Sequence, residues 1–190
     1  MYELGERVMS RSGGFGIPPE KLDPFLRIPE VAHFLYRQGK LVGYFTLVPL
    51  NHEIMLKRLR GEVRITQLKP EDLEEFDPEH PIDCFVWELI TNPDDKHLAA
   101  YLIQKLQRFI HTLGKRGVRI ESICATATSP EGINLCRRLG MRRMTEIQTP
   151  YKQERAFEMR PMETKNWLTR NYQQGLKSYQ LKLERLNRGY

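Results

Sequence analysis

No stretch of the sequence has the roughly 18 consecutive apolar residues that a helix needs to cross a bilayer, so nothing in it reads as a membrane span. The opening residues, MYELGERVMSRSGGFG, lack the apolar centre of a secretory signal. Cysteine is scarce. Cys84, Cys124 and Cys136 stand far apart with no Cys-x-x-Cys spacing, which argues against a zinc site and against a disulfide framework. Each falls in a predicted strand or helix, where a buried, reduced thiol is expected. The reading is therefore a cytoplasmic protein. His33, His52, His80, His97 and His111 share no spacing that would gather a metal. The glycines of Ser12-Gly13-Gly14-Phe15-Gly16 follow no strand and fit no phosphate-loop pattern.

What is present is the composition of an ordinary globular protein, 40% apolar and 28% charged over 190 residues, enough for one domain with its own core. The net charge of +6 is uneven. Residues 163–190 hold Lys165, Arg170, Lys177, Lys182, Arg185 and Arg188 against only Glu163 and Glu184, so any attraction to a polyanion belongs mainly to this tail.

The chain is organised around residues 82–141. Ile82, Phe85, Val86, Trp87, Leu89 and Ile90 predict a strand buried on both faces. Asn92-Pro93-Asp94-Asp95 carries the signature of a helix start. Leu98, Leu102, Leu106, Phe109 and Leu113 then recur at helical spacing, with Gly114 and Gly117 as the stop. Val118–Ala125 predicts a second strand, parallel to the first because a helix separates them. A short helix follows from Pro130 to Gly140, with Ser129 as its cap.

Around this unit the pattern predicts an irregular arm over residues 1–24 and a hairpin of Val31–Tyr36 with Leu41–Val48. A short helix capped by Asn51 and closed by Gly61 comes next. Val63–Thr66 suits a short strand and Pro70–Leu73 a helical turn. Met141–Ile147 and Arg155–Met159 suit a last hairpin. The core domain is set at 1–162, followed by a basic amphipathic helix over 163–190 in which Tyr172, Leu176, Tyr179, Leu183 and Leu186 form a heptad-like seam. That seam suits packing on its own domain or on a second copy, as a homodimer; the basic face suits nucleic acid or a membrane surface.

Hairpin, long strand, helix, strand, short helix and hairpin, over residues 31–161, resemble the order of the GNAT superfamily of N-acyltransferases. Lys40-Leu41-Val42-Gly43-Tyr44 and Ser129–Met141, reading S-P-E-G-I-N-L-C-R-R-L-G-M, carry the resemblance most specifically. It implies an α/β fold with a mixed, splayed central sheet flanked by helices. It also implies acetyl-coenzyme A or another acyl-coenzyme A as donor, and an amine on a small molecule or protein as acceptor. The donor's slender arm would lie where two neighbouring strands diverge, past Ile90. Backbone groups of Leu89, Ile90 and Thr91 would then hold the thioester, with Lys96, His97 and Leu98 at the following helix start and Arg137 for a phosphate. The family's glycine-bearing pyrophosphate loop is missing here: Asp94 and Asp95 stand in its place and would repel a diphosphate by on the order of 1 kcal/mol each when exposed.

Glu88 takes the position of a general base, its neighbours Trp87 and Leu89 raising its pKa by desolvation. The alternative is that it faces a lysine or solvent where the sheet opens. Cys136, where family members often carry a tyrosine acid, is either a proton donor or a packed helix residue. Two functions follow: an N-acyltransferase, or a catalytically inactive binding or regulatory module of the same fold, contacting nucleic acid through the basic tail.

Overall fold

The computed structural model describes Phe25 and residues 28–92, 95 and 97–188. The predicted arm over 1–24, and Pro93, Asp94 and Lys96, lie outside the described residues. Among the described residues, six strands form one sheet in the order β1-β2-β3-β4-β6-β5: Ala32–Arg37, Lys40–Leu50, Ile82–Thr91, Ile120–Ala127, Arg142–Arg143 and Arg155–Met159 for β1 to β6. Every neighbouring pair is antiparallel except β3 with β4, which the long crossover helix makes parallel.

Flanking the sheet are the helices α1 (His52–Arg60), α2 (Leu98–Lys115), α3 (Pro130–Arg138) and α4 (Trp167–Asn187). The apolar stripe of α2 is buried against one face of the sheet, where Gly43 leaves room for Leu102: a Cβ on Gly43 would stand 3.1 Å from Leu102 Cδ1. Side chains alternate along β2, so Gly43, Phe45 and Leu47 face α2, whereas Tyr44, Thr46 and Val48 face the other way. Cross-strand partners share a face, so Ile90, Glu88 and Phe85 lie with Tyr44, Thr46 and Val48. On that second face α1 packs, with the Arg58 guanidinium 4.9 Å above the Phe85 ring.

Helix α4 crosses α2 at a pair of glycines. A Cβ on Gly114 would come 2.5 Å from the Tyr172 carbonyl oxygen, and one on Gly175 would come 3.0 Å from the Lys115 amide nitrogen. Gly114, next to the last residue of α2, thus allows the close helix approach as well as marking the helix end, and Gly117, at φ +85°, makes the turn. Tyr172 fixes the crossing from the other side. Its hydroxyl donates to the Val118 carbonyl (3.1 Å) and accepts from the Ile120 amide (2.7 Å), fully buried.

Four expectations shift. Helix α2 starts at Leu98, not in the Asn92–Asp95 signature, because the Asn92 amide still donates to Val42 of β2. Helix α4 starts at Trp167, not Glu163, because the Asn166 side chain accepts from the Leu168 and Thr169 amides. Val63–Thr66 is no strand: Ile65–Gln67 forms a 3-10 turn instead. The last hairpin is shorter, with only Arg142–Arg143 on its first side. Of the α4 seam, Tyr172 and Leu176 are buried in the core, whereas Leu183 and Leu186 are 41% and 59% exposed.

Candidate functional site

The site is built where β3 leaves β4. The parallel ladder runs from Ile82↔Ile120 to Val86↔Ala125 and stops there, although β3 continues to Thr91 and β4 to Ala127. The strands thus diverge after Val86, four residues earlier than expected from the sequence. Ile82–Phe85 are buried, whereas Val86–Leu89 and Thr91 are part-exposed. A bulge marks the same point: Thr46 pairs with Glu88 and Leu47 with Val86, so Trp87 has no partner on β2. Trp87 turns its ring onto Phe25, centroids 5.2 Å apart.

Beyond the bulge, β3 is a one-sided strand. Because Asn92 donates to Val42, the hydrogen-bonded rungs to β2 fall at Asn92 and Ile90, and the intervening Leu89 and Thr91 turn their N–H and C=O groups away from β2, toward the side β4 has left. That edge can pair with an extended ligand as it would with another strand.

Glu88 stands at the mouth of this fork, half-buried on the Tyr44 face. The Tyr44 hydroxyl donates to its Oε2 at 2.7 Å, and the Glu88 amide donates to Thr46 Oγ1 at 3.1 Å. Burial raises the Glu88 pKa above the ordinary carboxylate value, and the Tyr44 hydrogen bond pulls part of that back. Burial and the adjacent carboxylate push the Tyr44 phenol well above its usual range, so Tyr44 stays a donor. The Glu88 carboxylate thus faces the buried Tyr44 phenol while the residue stays part-exposed. Sequence reasoning missed Tyr44, although it lies in the Lys40–Tyr44 stretch already singled out; its role depends on the Tyr44↔Ile90 register, which only strand pairing fixes.

The other predicted residues are less closely gathered. Ile90 is buried with Tyr44, packed by Phe34 and Leu41. Leu98 is buried in the main core. Asp95 engages the amides at the start of α2: its carboxylate accepts from His97 N–H (3.0 Å), its carbonyl from Leu98 N–H (3.3 Å), and Arg37 pairs with it at 2.8 Å. Lys96 lies outside the described residues. Arg137 is exposed on the last turn of α3, and its side chain makes no hydrogen bond or ion pair among the described residues. Cys136 is 7% exposed in the core, its thiol pushed up to about 11 by burial.

One other polar cluster merits comparison. Asp83, buried at the far end of β3, lies 2.7 Å from His52 Nδ1 and accepts from Ser122 Oγ at 2.5 Å. These are the residue types of a hydrolytic triad, but the carboxylate stands between the other two. A nucleophilic serine needs the histidine beside it, so this cluster is structural.

No protein-family model and no curated protein matches the sequence. Solved structures do match. Ard1 from Thermoplasma volcanium superposes with a TM-score of 0.54 at 8% identity, covering 84% of this chain and 88% of that one. The loading GNATL domain of CurA from Lyngbya majuscula gives 0.53 at 12% identity, over 76% and 84%. The chain has the GNAT fold. A mosquito arylalkylamine N-acetyltransferase, like 5b, gives 0.50 at 15% identity, over 84% and 89%. At such identities the likeness establishes the GNAT fold alone, and what the chain does must be argued from its own residues.

Proposed function

We propose that the chain transfers an acyl group, acetyl in the simplest case, from acyl-coenzyme A to an amine by direct attack. The observation that carries this reading is the fork after Val86, with the Leu89 and Thr91 backbone turned to the side β4 has left and Glu88 at its mouth. The donor's amide-bearing arm extends along Leu89 and Thr91, and one of their N–H groups polarises the thioester carbonyl. Glu88 takes a proton as the amine nitrogen attacks, the C–N bond forms, and the C–S bond breaks. The proton held by Glu88 then neutralises the departing thiolate. Cys136 is assigned to packing: a buried thiol pushed up to about 11 is a weak donor.

The test is direct. Acetyl-coenzyme A present at about 100 times its dissociation constant should stabilise the protein by about 2.7 kcal/mol, read as a raised melting temperature. Turnover with a panel of amines should accompany it. Absence of any thermal shift removes the reading.

A second reading has its own support. Asp95 and Arg37 place the chain's own ion pair where a diphosphate would approach the start of α2. This favours an inactive GNAT-fold module that acts by binding. The exposed Lys177, Lys182 and Arg185 of α4, with Arg188 just after it, offer a nucleic acid its contact, and the exposed Leu183 and Leu186 offer a second copy one. A salt-dependent gel shift lost on removing the last turns of α4, with no thermal response to acetyl-coenzyme A, would establish it.

A further inference from the structure

One buried hydroxyl on β2 has no packing reason to be there. Tyr44 to Leu50 are all buried, and from Phe45 to Leu50 the run reads F-T-L-V-P-L, with Thr46 its one polar side chain at 2% exposure. Valine has the same shape, suits a strand as well and would carry no hydroxyl out of water. What the Thr46 hydroxyl does is accept the Glu88 amide at 3.1 Å.

That amide sits at the bulge. Thr46 pairs with Glu88 and Leu47 with Val86, so Trp87 is the surplus residue on β3. The bulge also decides which way the carboxylate points. Without it, and with Leu47 and Val86 kept in register, Trp87 would stand opposite Thr46 and Glu88 opposite Phe45, on the face that α2 covers. With it, Glu88 lies on the Tyr44 face, where the Tyr44 hydroxyl donates to Oε2 at 2.7 Å. Thr46 and Tyr44, two residues apart on one face of β2, thus grip Glu88 at its amide and at its carboxylate.

We propose that Thr46 is a positioning residue: its hydroxyl pins the bulge, and the bulge keeps the Glu88 carboxylate at the mouth of the fork. The catalytic meaning of this role rests on the acyl-transfer reading, in which Glu88 is the base. The bulge follows the last β3–β4 pair, Val86 with Ala125, so the strand it re-aims is the one that lines the fork.

The experiment is an NMR titration of the Glu88 carboxyl in the ligand-free full chain, which needs no turnover. Burial raises this pKa and the Tyr44 hydrogen bond lowers it; among the described residues no other titratable group acts on it. Tyr44→Phe should move the midpoint up in the wild-type background. Combined with Thr46→Val it should move it by less than about a third as much, because the carboxylate has already left the phenol. Thr46→Ser keeps the hydroxyl and should preserve the full Tyr44→Phe shift. Thr46→Ala takes the place of Thr46→Val should the latter fold poorly. In turnover, Thr46→Val should lower kcat about tenfold with acetyl-coenzyme A affinity nearly unchanged. No Tyr44→Phe shift, the same shift with and without the Thr46 hydroxyl, its loss in Thr46→Ser as well, or an unchanged kcat in Thr46→Val would overturn the proposal. A chain that shows the coupling but transfers no acetyl group would remove the proposed function and leave Thr46 holding Glu88 in place.

Discussion

The fork between β3 and β4 and the first turn of α2 are separated by only a few residues, yet they treat a ligand in opposite ways. At the fork, Leu89 and Thr91 turn their backbone to a side that β4 has left and that no other strand fills among the described residues. At the start of α2 the protein engages its own backbone, with Asp95 taking two amides and Arg37 neutralising Asp95. A helix start normally attracts an anion through its free N–H groups and its dipole. Here a carboxylate of the chain already stands there. Under the proposed function, the arm of an acyl donor and not its diphosphate should supply most of the recognition.

The largest effect that would sharpen this contrast lies at the fork. Glu88→Gln should lower turnover by about 10²- to 10⁴-fold with donor affinity nearly unchanged, read by steady-state kinetics alongside a binding titration. An equal loss in affinity would mean that Glu88 holds the donor and does not act as base.

Next comes the pH profile. Glu88 must be ionised to act, and burial raises its pKa, so activity should rise with pH through a midpoint above the ordinary glutamate value. Tyr44→Phe removes the hydrogen bond that lowers this pKa, and the midpoint should move further up. Stability follows the same group with its own sign. The folded state keeps the Glu88 proton to higher pH than the unfolded state, so stability should fall as pH rises from the ordinary glutamate value to the raised one, then level off. Glu88→Gln should abolish that fall, measured by denaturant titration across the window.

A smaller effect is expected at the helix start. Asp95→Asn keeps a capping side chain for the His97 amide but removes the charge, and should tighten acetyl-coenzyme A about fivefold, on the order of 1 kcal/mol. The smallest is Arg37→Gln. Its ion pair with Asp95 is 68% exposed on the arginine side, so stability should change by less than about 1 kcal/mol, while donor affinity falls slightly because Asp95 is left unneutralised.

The same contrast explains what was legible in the sequence. The strand Ile82–Thr91, the stripe of α2, the Ser129 cap and the β1–β2 hairpin rest on local periodicity and turn chemistry, and all were readable. The start of α2 was not, because Asn-Pro-Asp-Asp reads as well as a turn as it does as a helix cap, whereas the Asn92 amide pairs with Val42 and the helix begins at Leu98. Gly114 read only as a helix stop because a close crossing of two helices leaves no local mark. Tyr44 was invisible as a partner of Glu88 since the two are 44 residues apart and meet through register alone. The position of the fork was misplaced for the same reason: Val86 and Ala125 carry no signal that their ladder ends there.

The most direct test compares the affinities of acetyl-coenzyme A and S-acetylpantetheine, the same donor without its nucleotide and diphosphate, by thermal-shift titration. If β3 receives the arm and α2 offers the diphosphate little, the shorter donor should bind within about tenfold of the longer one. Failure of both to bind would contradict the open edge of β3, and a much larger gap would contradict the self-filled start of α2.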